Sequence, residues 1–205
     1  MTPSPISPTP SIRIRIVRAE ALTPEFVRAR VATLSEAERT EFHRMADPGA
    51  ADVRAVLRAE ANALRARGRR VSVAHAGRFG VLAESADVAL LGIDVEPLTK
   101  AIPEPALVAE ATSPEEFAAW SALPEEGRAT AFLRLWTLKE AAFKARPPGF
   151  YSGLKEVRVS LDFMDTDEPG LSGAFVQADP EHIVAVVCSG AATVSIESAA
   201  GPASF

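Results

Sequence analysis

Pro97, Pro103 and Pro105 fall within nine residues near the middle of the chain, and neither a helix nor a strand runs through such a cluster. Each proline removes a backbone donor and fixes its own φ. The chain is thereby divided into two halves, and each half shows the same order of patterns. In the first, Ile12, Ile14 and Ile16 alternate with Arg13 and Arg15, the period-two pattern of a strand with one wet face. Pro24 then opens a helix, Ser35 with Glu38 three residues later reads as the capping box of a second, and residues 50–67 read as a third, ended by Gly68. Strands are expected at 70–75, 79–84 and 88–95, with turns at Ala76-Gly77-Arg78 and Ser85-Ala86-Asp87. In the second half, helices at 105–110, 114–122 and 125–146 precede Pro147-Pro148-Gly149. Strands return at 157–163, 173–177, 182–188 and 193–197. A strand-helices-strands block repeated once predicts an α+β protein of two similar lobes with a site at the seam. The expected division is a lead-in at 1–11, an N-terminal lobe at 12–98, a C-terminal lobe at 99–198 and a loose tail at 199–205.

Of the 205 residues 47% are hydrophobic, ample for a core, yet no apolar run approaches the roughly 20 residues that span a bilayer. Residues 1–11 alternate Pro, Ser and Thr, unlike a charged-then-apolar signal peptide, so a soluble, cytoplasmic protein without a membrane partner is expected. A net charge of -5 and a pI near 5.3 argue against nucleic acid, whose phosphates call for a basic surface. The bases are unevenly placed: seven Arg and a single acid, Glu60, lie between Arg54 and Arg78, whereas no base lies between Glu104 and Glu126. A local basic region on an acidic protein suggests a small anionic ligand, although solvated Arg-rich helices give the same pattern. The single cysteine, Cys188, sits in an apolar run and reads as a buried small hydrophobe.

Two segments carry chemistry. In Leu91 to Pro97, strand alternation sends Asp94 and Glu96 to one face and Ile93 and Val95 to the other. Two carboxylates on one face repel each other, and a divalent cation between them relieves this; hard oxygen donors near phosphate favour Mg²⁺. A strand end whose acids face water would look the same. In the second segment, Trp136 to Lys144, Glu140 and Lys144 are four apart on a helix and share a face with Trp136. Taken alone, this is also the spacing of an ordinary surface pair.

Together the two segments resemble the signature of the 4′-phosphopantetheinyl transferase superfamily: a Gly-Ile/Val-Asp-x-Glu strand, some forty residues, then Trp/Phe-Ser/Thr/Cys-x-Lys-Glu-Ala/Ser-x-x-Lys on a helix. Both parts stand here, as Gly92 to Glu96 and Trp136 to Lys144. Upstream, Val71 to Phe79 is similar to that family's strand ending in a histidine turn at His75, and Leu34 to Arg39 with Arg54 to its N-terminal helices. The length resembles that of the monomeric, surfactin-synthetase type, whose two lobes are related by a pseudo-twofold axis and which serves polyketide or nonribosomal peptide synthases.

The resemblance implies transfer of 4′-phosphopantetheine from coenzyme A to a serine of an acyl or peptidyl carrier protein, with release of 3′,5′-ADP. It implies Mg²⁺ at Asp94, Glu96 and Glu140, and coenzyme A held by His75, Arg54, Lys139 and Lys144. Catalysis would fall to Glu140, Lys144 and Asp94, with Glu140 or Glu116 as the base for the carrier serine. His43 and His182 match no motif. Two departures are visible: alanines, Ala74 and Ala76, flank His75 where the family carries hydroxyls, and the chain passes directly from Arg67-Gly68-Arg69-Arg70 into a strand without the family's longer linker. These departures also fit a non-catalytic homologue that binds carrier protein or coenzyme A.

Overall fold

The computed structural model describes residues 9–100 and 104–198, so the first eight residues of the expected lead-in and the expected tail at 199–205 lie outside it. Strand β1 (Ser11–Arg18) starts one residue before the expected lobe boundary. Ile12, Ile14 and Ile16 are buried on one side of it, as their alternation requires. Its other side is wet, as expected, only at Ser11 and Arg13; farther along, the Arg15 side chain is only 13% exposed and pairs with Glu84 at 3.3 Å and Glu60 at 3.7 Å. Glu84, almost wholly buried, also accepts from Arg13 and Arg69. A carboxylate buried this deeply is tolerable because three guanidiniums surround it.

Helices α1 (Pro24–Val31), α2 (Glu36–His43) and α3 (Pro48–Ala66) follow, each begun by a capping side chain from Thr23, Ser35 or Asp47. Ser35 and Glu38 form the reciprocal capping box read from the sequence. Gly68, at φ +75°, turns the chain out of α3 in a conformation that a side chain would disfavour. Strands β2 (Arg70–Ala76), β3 (Phe79–Ser85) and β4 (Leu91–Pro97) come next. The second half supplies α4 (Pro105–Ala111), α5 (Pro114–Ser121), α6 (Glu125–Ala145), β5 (Leu171–Val176), β6 (His182–Ser189) and β7 (Thr193–Ser198).

Two sheets result, with strand orders β2-β3-β1-β7 and β4-β6-β5. They pack face to face through Ile12, Ile14, Ile16 and Val81 on one side and Ile93, Val95, Val184 and Val186 on the other. The outer face of the first sheet, through Val17 and Leu82, meets Val53, Val56 and Leu57 of α3. The outer face of the second, through Ala185 and Val187, meets Leu135, Leu138 and Ala142 of α6. The layers therefore run helix, sheet, sheet, helix, an α+β arrangement. Each sheet joins strands from both sides of the mid-chain prolines: β7 lies parallel to β1 in the first, and β4 pairs with β6 in the second.

Two strand expectations are corrected. Residues 157–163 form no strand; a short 3-10 turn at Leu154–Glu156 leads only to an isolated bridge between Val159 and Thr166. Side chains take up that segment's backbone groups: Lys139 donates to the Leu154 and Val157 carbonyls, and the Val159 amide donates to Glu116. The third strand begins at Leu91 rather than Val88, because Ser189 Oγ accepts the Ala89 and Leu90 amides that a ladder would otherwise use. Cys188 is buried, as expected. Among the described residues no helix is long and apolar enough to cross a membrane.

Candidate active site

Strand β4 occupies the edge of the second sheet and β2 the edge of the first, and the two run side by side at the seam between the sheets. One hydrogen bond joins them, from the Ile93 amide to Ser72 Oγ at 3.1 Å. With Ile93 and Val95 committed to the core between the sheets, alternation turns Gly92, Asp94 and Glu96 toward α6. The approach there is close. A β-carbon at Gly92 would press into the Ala141 carbonyl oxygen and lie 2.7 Å from the Ala145 amide nitrogen, so only glycine allows β4 and α6 to meet at this height. That contact sets Glu140 and Lys144 over the carboxylates.

Lys144 Nζ donates to Asp94 Oδ1 at 2.6 Å, and the two side chains are 33% and 9% exposed. Burial pushes the Asp94 carboxyl up to about 6; Lys144 opposes this, while the charges of Glu140 and Glu96 add to it. Asp94 is thus within electrostatic reach of Glu96, Glu140 and Lys144. Its other oxygen, Oδ2, is buried and has no hydrogen-bond partner. A buried carboxylate oxygen without a donor is costly, and a cation would offset that cost. Glu96 accepts from Lys100 at 2.6 Å, and Lys100 Nζ in turn lies 5.1 Å from the centre of the Trp136 ring.

Among the described residues no group of three or more His, Cys, Asp or Glu side chains is gathered as a metal cage. The donor set fits Mg²⁺ in a different manner: Asp94 Oδ2 is free, and this ion is commonly held by one or two carboxylates together with substrate phosphates and water.

On β2, His75 keeps an exposed edge, but burial and then the positive charges of Arg54 and Lys144 hold its pKa below the usual histidine value. It is therefore neutral at pH 7. His75, Arg54 and Lys144, three of the four residues expected at coenzyme A, accordingly share one electropositive region. Arg54 lies 3.9 Å from Glu41 and remains about a third exposed.

The fourth, Lys139, does not join them. It has no exposed surface and donates to Glu116 at 2.8 Å as well as to two carbonyls, so it cannot touch coenzyme A. Lys139 follows one position before Glu140, and the roughly 100° step per helical residue carries it from the seam into the C-terminal core. Glu116 is equally enclosed and accepts from the Ser113 and Val159 amides, which removes it as a base for a bound serine. Of the histidines outside the motifs, His182 stacks on Phe79 and bonds Asp179, while His43 is exposed at the end of α2. Sequence reasoning missed Ser72, which no spacing marks, and Lys100, one of only four lysines, standing across Pro97 from its partner Glu96.

Residues 90–188 match the family model of the 4′-phosphopantetheinyl transferase superfamily. The matched span runs from just before β4 to within β6, so it includes Asp94, Glu96, Glu140 and Lys144 and stops short of Arg54 and His75. The helices and sheets agree with the α+β fold of that superfamily. The match supports phosphopantetheine transfer as the general activity. No curated protein matches the chain.

Proposed function

We propose that this protein transfers 4′-phosphopantetheine from coenzyme A to a serine of an acyl or peptidyl carrier protein. The reading rests above all on the buried Asp94, bonded by Lys144 through one oxygen and without a partner on the other, within a span that matches the transferase superfamily. Coenzyme A would lie along the seam with its phosphates against His75, Arg54 and Lys144. Neutral His75 serves as a hydrogen-bond donor there, and the two cations offset the phosphate charge.

In the reaction the carrier serine oxygen bonds to the phosphorus that bears pantetheine, and the bond from that phosphorus to the bridging oxygen of 3′,5′-ADP breaks. Glu140, half-buried and making no hydrogen bond or ion pair among the described residues, accepts the serine proton directly or through one water. Lys144 stands over the departing phosphate oxygen and neutralises it. Of Asp94, Glu96 and Glu140, Asp94 would hold Mg²⁺ through its free Oδ2 with one of the two glutamates as a second ligand, and the ion when bound would stabilise negative charge on the phosphates.

The test is intact-mass spectrometry of a panel of carrier proteins incubated with the enzyme, Mg²⁺ and coenzyme A. Addition of one phosphopantetheine to at least one carrier is expected; no shift on any of them would end the reading. Glu140→Gln should abolish turnover without changing the unfolding midpoint, and near-normal turnover would remove Glu140 from the role of base. A non-catalytic homologue that binds carrier or coenzyme A is the second reading. It draws on Ala74 and Ala76, which flank His75 where the family it resembles carries hydroxyls. Carrier binding without any modification would favour it.

A further inference from the structure

Arg65 and Arg67 at the end of α3 and Arg70 at the start of β2 are exposed, and Arg146, just past α6, is half-buried. Arg65 and Arg146 donate to the Val71 and Pro169 carbonyls, at 3.3 and 2.8 Å, but none of the four has an ion-pair partner among the described residues. Arg69, in their midst, shows the contrast, being fixed on Glu84 at 2.8 Å. On a chain of net charge -5, four unneutralised guanidiniums on one rim make a local positive field.

The rim borders two adjoining clefts. Arg65 and Arg146 line one of about 410 Å³, and Arg70 and Arg146 the other, of about 340 Å³. Lys144 and the Pro147-Pro148 pair line both, so the clefts open directly onto the candidate active site. Apolar surface lies among the charges: Phe143 is 36% exposed and Phe150 56% exposed, with the Arg146 guanidinium 4.8 Å from the Phe150 ring centre. A single phosphate would engage one point and leave these rings in water. Bases on both sides of an open cleft, with aromatic rings between, instead suit a longer partner that carries carboxylates around an apolar stripe.

We propose that this rim docks an acidic, amphipathic segment of the acceptor protein, with Arg65, Arg70 and Arg146 pairing its carboxylates and Phe143 and Phe150 its apolar side chains. The identity of the partner as the acceptor, and the statement that docking brings a serine toward Lys144, rest on the transferase reading. On a chain of net charge -5, the unpaired rim supplies the charge complementarity that an acidic partner needs.

The test is fluorescence anisotropy with a labelled acidic acyl carrier protein whose serine is replaced by alanine, in the absence of coenzyme A and Mg²⁺. Binding to the unaltered protein should weaken as salt is raised from about 0.05 to 0.3 M, since exposed charges are screened over about 10 Å or less. Arg65→Glu/Arg70→Glu should weaken it about tenfold or more, Arg65→Gln/Arg70→Gln by less, and Arg65→Lys/Arg70→Lys should retain most of it. Coenzyme A affinity, measured by calorimetry, should not change in any of them. Carrier binding that is insensitive to salt and to these substitutions would overturn the proposal. So would a loss confined to coenzyme A, which would make the rim a phosphate site. Salt-sensitive carrier binding without phosphopantetheine transfer would leave the docking surface standing and remove the transferase reading. Transfer with an unchanged carrier KM in the Glu variant would remove the docking surface alone.

Discussion

Asp94 concentrates the tension of the site, because a carboxylate on a strand face is ordinary while one enclosed by a helix is not. Its pKa rises from 3.8 to about 6 through burial, so between those values the folded protein holds a proton that the unfolded chain has released. Metal-free protein should therefore gain stability as pH falls from about 7 toward 4. The contribution, on the order of 3 kcal/mol, is complete below the unfolded value and lost as pH rises through the folded one. Urea unfolding across this range should show the slope in the unaltered chain and a flatter profile in Asp94→Asn; equal slopes would mean that Asp94 is not the titrating group. At pH 7.5, Mg²⁺ should raise the melting temperature of the unaltered protein and not that of the Asn variant. The sequence showed that Asp94 and Glu96 share a face, because strand alternation is local. It could not show that Asp94 meets Lys144, fifty residues away, since that depends on how closely β4 and α6 approach.

That approach is a property of elements, and Gly92 controls it. Gly92→Ala should destabilise the protein by about 3 kcal/mol or prevent folding, because the β-carbon meets helix backbone that cannot rotate aside. Denaturant titration measures this, and a loss below about 1 kcal/mol would show that α6 can move away. The Lys139–Glu116 pair fastens α5 and the 154–159 segment onto α6. Lys139→Met leaves the Glu116 carboxylate buried without its cation and should cost about 3–5 kcal/mol. Lys139→Met/Glu116→Leu should recover part of that loss, and any folded variant should bind coenzyme A as tightly as the unaltered protein. Helix starts were the most legible elements, as the capping box of Ser35 with Glu38 shows; the structure adds a second, of Ser113 with Glu116. The 157–163 segment was misread because its apolar alternation is real, whereas its hydrogen bonds go to Lys139 and Glu116 from elsewhere in the chain.

At the scale of the whole molecule, the division at residues 98 and 99 crosses both sheets, for β4 belongs with β6 and β7 with β1. Neither 12–98 nor 99–198 alone should therefore show a cooperative thermal transition, whereas mixing the two fragments should restore one, as read by circular dichroism. An independently folding half would restore the lobes as separate units. The proline cluster and the repeated order of patterns read as two halves in the sequence, a division that the strand pairing does not follow. Strand exchange was not, because which sheet an apolar strand joins depends on partners a hundred or more residues away, as the pairing of Ile12 with Val194 illustrates. The same pairing bears on biosynthesis. Until residues 193–198 have left the ribosome, one side of β1 offers a row of unsatisfied amides and carbonyls, an invitation to pair with any passing strand. The nascent chain must either wait for its own last strand or be shielded by a chaperone, and variants shortened before Thr193 should collect in insoluble aggregates rather than as smaller working enzymes.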